Sequence, residues 1–192
     1  MEETITYVGL DVHKKSIAVA DGGLADEVRY LGLIDNTTKA LDRMIARLER
    51  PGRVVRLCYE AGPCGYGVCR HLQGRGYACL VVAPSLIPRR SGERVKTDRR
   101  DAAMLARLLR AGELTAVWVP GVDHEAMRDL VRTRAAAMRA LRRARQQLSG
   151  FLLRHGRVHS GKNWTLAHRR WLSTVRFEHP AQRKRPVNLL CL

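Results

Sequence analysis

Lys96-Thr97-Asp98-Arg99-Arg100-Asp101 is the stretch that decides how this chain is read. Asp98 and Asp101 stand three apart at the start of a predicted helix, so both carboxylates project from one face of its first turn. Two such groups repel unless a cation sits between them. Two upstream acids belong to the same pattern: Asp11 closes the apolar run Ile5-Thr6-Tyr7-Val8-Gly9-Leu10, and Glu60 closes Val54-Val55-Arg56-Leu57-Cys58-Tyr59. Carboxylates that end apolar runs are expected at the lip of a parallel sheet. Four acids on three elements therefore predict one oxygen-rich metal site.

The chain of 192 residues is 45% apolar, enough to bury a core for one domain plus an appendage, since single domains commonly hold about 100–150 residues. Its formal charge of +17 is unevenly spread. Residues 1–60 carry 9 Lys/Arg against 10 Asp/Glu, whereas residues 61–192 carry 26 against 8. A basic half of this kind favours a polyanion as partner, and arginine, which dominates it, suits bidentate phosphate contact. The five cysteines (Cys58, Cys64, Cys69, Cys79 and Cys191) include no C-x-x-C pair, which argues against a zinc finger or a disulfide framework. They read as buried thiols in a reducing compartment. No apolar signal region opens the chain, and no apolar run approaches the roughly 20 residues that span a bilayer. A soluble, cytoplasmic protein without a membrane partner is expected.

Periodicity orders the elements. Apolar runs at 4–10, 16–21 and 27–34 predict three antiparallel strands, with Gly22-Gly23 punctuating the last two. Leu41, Met44, Ile45 and Leu48 keep helical spacing up to Pro51-Gly52. A fourth strand spans Val54 to Tyr59, a short helix runs from about Tyr66 to Gln73, and a fifth strand covers Tyr77 to Val82. Three strands, helix, strand, helix, strand, helix describe a mixed α/β sheet with helices on both faces. Arg89, Arg90, Arg94 and Lys96 make a basic loop, and Thr97 can cap a helix that buries Ala102, Leu105, Ala106 and Leu109 before Gly112. From Asp123 to Gly156 a three/four spacing of apolar residues shares one long helix with Arg128, Arg132, Arg139, Arg142, Arg143 and Arg145. Such a helix reaches beyond a compact domain, so it is expected to pair with a partner helix. Residues 165–175 allow one more short helix.

With these positions placed, the chain resembles the insertion-sequence transposases whose N-terminal domain is RuvC-like and carries a DEDD carboxylate set, a group that includes Piv-type DNA invertases and bridge-RNA-guided recombinases. The resemblance rests on Tyr7-Val8-Gly9-Leu10-Asp11-Val12-His13-Lys14, Cys58-Tyr59-Glu60-Ala61-Gly62, Val95-Lys96-Thr97-Asp98-Arg99-Arg100-Asp101-Ala102, the basic helix, and residues 157–182 around Gly161-Lys162-Asn163-Trp164. It implies an RNase H-like fold over residues 1–119, a basic coiled-coil helix over 120–156, and the start of a C-terminal region over 157–192. It further implies that Asp11, Glu60, Asp98 and Asp101 hold Mg²⁺ for DNA strand cleavage and transfer, with DNA as partner and a guide RNA among the candidate partners. The family also has a C-terminal domain bearing a serine proposed as nucleophile. Residues 183–192 do not resemble the family, and a chain cut short before that domain is expected.

Mg²⁺ is a hard ion that takes oxygen ligands, and paired ions would stabilise the attacking and leaving oxygens of phosphoryl transfer. The plainer alternative is that Asp98 caps a helix, Asp101 pairs with Arg107, and Asp11 and Glu60 are ordinary strand-end acids. Lys96 and Arg99 flank the acids and are candidate phosphate contacts, as are Arg139, Arg142, Arg143 and Arg145 on the long helix. His13 and Lys14 follow Asp11 on a turn, where they either touch substrate or are merely exposed. Ser16 and Ser91 lack an elbow motif and a base, so neither is a nucleophile. Two further readings share these features: a non-catalytic nucleic-acid-binding and dimerisation module in which the basic helix does the work, and a four-way-junction resolvase acting alone.

Overall fold

The computed structural model describes residues 4–22, 27–88, 97–180 and 182. The expected basic loop with Arg89, Arg90, Ser91, Arg94 and Lys96 lies outside the described residues, as do Gly23, Cys191 and the closing segment 183–192. The chain divides into two compact units, Met1–Val119 and Pro120–Leu192.

The first unit runs β1 (Thr4–Val12), β2 (Ser16–Gly22), β3 (Val28–Asp35), α1 (Thr38–Leu48), β4 (Arg53–Glu60), α2 (Gly67–Gly74), β5 (Ala78–Val82), a single 3₁₀ turn (Pro84–Leu86) and α3 (Asp98–Ala111). Only a few residues separate β1, β2 and β3 in the chain, and these strands pair antiparallel; β4 and β5 each follow a helical crossover and lie parallel to their neighbours. The sheet order is β3-β2-β1-β4-β5. This is the mixed five-stranded sheet that the element order predicts, and it is the arrangement of an RNase H-like fold.

The two-residue strand period decides what each face buries. Val8, Leu10, Ile17, Val19, Leu57, Tyr59 and Val81 face α1 and α2, which contribute Leu41, Met44, Ile45, Val68, Cys69 and Leu72. On the opposite face Ala18 and Ala20 meet Ala102 and Ala106 of α3, while Cys58 and Val82 meet Leu105 and Leu109. Between these groups β1 presents Gly9. A Cβ there would collide with the Ala102 carbonyl oxygen and come within 2.5 Å of the Ala106 nitrogen, so α3 lies backbone to backbone on the sheet. Thr97, not Asp98, caps α3: the Thr97 hydroxyl accepts from the Arg100 N–H at 3.3 Å. Gly112 closes the helix at φ +71. Cys58, Cys69 and Cys79 are buried and Cys64 is half-buried, all as free thiols.

The second unit holds α4 (Val122–Arg154) and α5 (Leu166–Thr174). With 33 residues, α4 extends for about 50 Å. Its C-terminal third buries Leu148, Phe151 and Leu152 against Leu172 of α5 and Phe177, so part of the expected partnering is supplied by the chain itself. Upstream, Met127, Leu130, Val131 and Met138 are exposed. His168 is buried at the centre of this unit. It accepts the Trp164 N–H at 3.0 Å, holding Trp164 at φ 66, a left-handed conformation a tryptophan rarely takes. No helix among the described residues is long and apolar enough to cross a membrane.

Two outcomes follow from this packing. Gly9→Ala should lower unfolding stability in urea by about 1–3 kcal/mol, because the new methyl group must push α3 off the sheet; a neutral result would mean that α3 stands farther from β1. Burial, and then the neighbouring His159, lower the affinity of His168 for a proton. The unfolded chain takes up that proton near the ordinary histidine value of about 6.5 and the folded chain refuses it, so the stabilisation is complete above that pH and is lost progressively below it. The thermal midpoint should therefore drop on acidification below about pH 6.5 more steeply in the wild type than in His168→Asn.

Candidate metal centre

Strand parity brings two of the four acids to the α3 side of the sheet. On β1, Gly9 touches α3 and Asp11 follows two residues later on the same face; on β4, Cys58 touches α3 and Glu60 follows in the same way. The strands pair Gly9 with Cys58 and Leu10 with Tyr59. The pairing ends there, and Asp11 and Glu60 are the next residue on each of these two adjacent strands. Asp11 lies inside β1, which continues to Val12, so its backbone is held by the ladder to β2. Glu60 is the last residue of β4 and is half-buried.

Because Ala102 sits over Gly9, the first turn of α3 begins beside the same rim. Among the described residues, Asp11, His13 and Asp98 form the group whose ligand atoms all lie within 4.8 Å of one another. The His13 Nε2 is 3.1 Å from Asp11 Oδ2 and 3.5 Å from Asp98 Oδ1. Asp11 is the sheltered member, with 18% of its side chain exposed, against 50% for His13 and 54% for Asp98. Asp101 is half-buried three residues along α3, and it and Glu60 fall outside this tight group. The structure thus brings Asp11 and Asp98 together through His13 and sets Glu60 at the end of the strand next to Asp11.

His13 is the member whose part the sequence left undecided. Its position has a local cause: the His13 N–H donates to the Ser16 carbonyl at 2.8 Å, closing the β1–β2 turn, and the Asn36 side chain donates to the His13 carbonyl at 2.8 Å from the far side of the sheet edge. The available signal was the Asp11-x-His13 spacing, which returns to the same side of an extended chain. The donor set fits a hard divalent cation: carboxylate oxygens converge from a strand and a helix end, more stand nearby, and one nitrogen is in reach.

The cationic candidates separate. Lys96 lies outside the described residues. The Arg99 guanidinium stands 5.5 Å from the centre of the Tyr30 ring, at the outer edge of the sheet face that carries α3. Arg139, Arg142 and Arg143 are exposed along α4, whereas Arg145 is half-buried, its guanidinium 5.1 Å from the centre of the Trp164 ring.

Comparison with known proteins bears on this arrangement. The transposase family model of the DEDD IS110 type matches residues 8–156, a span that begins in β1 and ends just after α4. The Sinorhizobium fredii protein y4qE, which carries the name transposase, is 54% identical over 178 residues, covering 91% of this chain and 46% of that protein. The Leptospira borgpetersenii transposase for insertion sequence element IS1533 is 36% identical over 183 residues, covering 90% of this chain and 51% of that protein. The chain thus spans about half the length of the curated relatives it matches. With a family match across most of its length and a mixed sheet of the expected order, this chain belongs to the DEDD IS110 transposase family.

Proposed function

We propose that the chain is the N-terminal catalytic part of a DNA transposase or site-specific recombinase, acting in the cytoplasm on DNA by Mg²⁺-dependent strand cleavage and transfer. The observation that carries this reading is the approach of Asp11 and Asp98 to a common point, with Glu60 on the neighbouring strand. Asp11, Glu60, Asp98 and Asp101 would hold Mg²⁺, which when bound supplies positive charge for the attacking and leaving oxygens of phosphoryl transfer.

The chain's own groups take distinct parts. Asp11 is fixed by the sheet and sets the position of the centre. Asp98, more exposed on the first turn of α3, has room to adjust its rotamer. His13 orients the Asp11 carboxylate through its 3.1 Å contact. Lys96 and Arg99 meet the phosphates of DNA next to the acids, and Arg139, Arg142, Arg143 and Arg145 track the backbone of DNA or of a guide RNA. The exposed apolar stripe Met127, Leu130, Val131 and Met138 supports a homo-oligomer through α4. The same stripe and arginines favour a second reading, a non-catalytic nucleic-acid-binding and dimerisation module.

Calorimetry with Mg²⁺ separates the two. The wild type should bind the ion, and Asp11→Ala should weaken binding by at least about tenfold; equal affinities would remove the metal site and leave the second reading. Neutralising Arg139, Arg142, Arg143 and Arg145 should make the salt dependence of DNA binding shallower on a logarithmic plot, by about 0.9 for each phosphate that is no longer neutralised. An unchanged slope would move the nucleic-acid surface away from α4.

A further inference from the structure

The sheet face that α1 and α2 cover is not covered completely. Helix α1 lies over the middle strands with Leu41, Met44 and Ile45, and toward the edge strand β3 it leaves a cleft of about 700 Å³. The β2–β3 register shifts between Val19 and Ala20, where Gly32 takes φ +114, and this irregularity leaves the inserted Leu31 44% exposed along the cleft. Val19, Ile34, Met44 and Leu48 complete an aliphatic floor.

Five arginines surround that floor: Arg29, Arg43, Arg47, Arg50 and Arg53. The buried carboxylate of Asp21 is already taken by Arg29, which donates to it through two nitrogens at 2.9 and 3.3 Å. Arg43, Arg47, Arg50 and Arg53 form no ion pair with a described residue, and Asp35 is the remaining acid of the lining. Four guanidinium groups with no ion pair among the described residues thus stand around an exposed leucine, and their mutual repulsion costs stability. An anionic ligand with apolar surface would resolve both features at once.

We propose that this cleft binds a short unpaired stretch of DNA, its phosphates on the arginines of α1 and of the segment that follows it, and its bases against Leu31 and the aliphatic floor. Guanidinium forks match phosphate oxygens in geometry as well as charge. The volume is of nucleotide size, within the roughly 300–1,000 Å³ usual for ligand sites, and too small for a duplex. A duplex turns its bases inward and offers the aliphatic floor nothing, whereas an unpaired strand offers both phosphates and base faces. The choice of DNA over RNA rests on the proposed function above. The cleft lies on the sheet face away from α3, so it is distinct from the metal centre and does not depend on it.

The test uses the full chain in EDTA, with fluorescence anisotropy of labelled dodecathymidylate, a dodecamer duplex and dodecauridylate. In Arg43→Ala/Arg47→Ala/Arg50→Ala, single-strand affinity should fall at least about tenfold and the salt slope should shrink by about 2, from about 0.7 for each of three phosphates. Duplex affinity should change less than about twofold. Leu31→Ser should weaken single-strand binding while leaving the slope in place, and circular dichroism melts matching the wild type verify the fold of both variants. Loss of duplex and single-strand binding in parallel would overturn the proposal, as would no loss at all. Tighter, cleft-dependent binding of dodecauridylate would overturn the assignment to DNA. Poly-L-glutamate competing as well as dodecathymidylate would mark the cleft as a site for acidic protein segments instead. With EDTA present throughout, failure of the metal centre leaves this result untouched.

Discussion

The backbone of α3 resting on the backbone of β1 at Gly9 is the constraint on which the rest of the first unit depends. Ala102 and Ala106 make the approach possible from the helix side, and Ala18 and Ala20 do the same from β2. These small residues contribute little buried area. Their flanks do: Leu105 and Leu109 bury against Cys58 and Val82, each worth about 1.5–3 kcal/mol of transfer free energy. The close approach therefore sets geometry, and the neighbouring leucines stabilise it. Its functional effect is to hold the first turn of α3 at the height of the sheet rim, so Asp98 reaches the carboxylate of Asp11 across a single imidazole.

Charge is partitioned in the same way. The acids gather where β1 and β4 end and α3 begins, with Arg99 on that first turn leaning on Tyr30, while the arginines of α1 that form no ion pair with a described residue lie on the other face of the sheet. A site meant for polyanions and divalent cations together faces opposing demands, since its carboxylates repel the phosphates that the cation must meet. Placing the guanidinium groups on separate surfaces lets them gather phosphate without neutralising the carboxylates. Arg29 and Asp21, a buried acid and its exposed partner, show the contrasting local solution in which both charges are consumed.

Much of this was legible in the residues because periodicity survives burial. Leu41, Met44, Ile45 and Leu48 do line the inner side of α1, Thr97 and Gly112 do bracket α3, and the three early strands do form a meander. The acids stood out because each closes an apolar run or opens a helix. His13 was not decisive, since a turn residue has no repeat to declare its direction; its placement relies on Asn36, 23 residues downstream. Gly9 reads as a weak point in a strand until the helix that needs it is in place. The α1–β3 cleft was invisible for a similar reason, because the exposure of Leu31 depends on where α1 stops covering the sheet. The long helix was expected to seek a partner, and its C-terminal third finds one in α5, through packing that only the folded chain reveals.

Because Asp11 and Glu60 owe their common face to strand parity, each is two residues beyond a contact with α3. One added or deleted residue between Gly9 and Asp11, or between Cys58 and Glu60, would turn that carboxylate to the side of α1 and α2 without altering composition or fold. Geometry thus tolerates a change of length only in the connections between strands and helices, such as the turn at Pro51-Gly52. A relative whose alignment requires a gap inside either of those short spans would have a different centre, however similar its remaining residues.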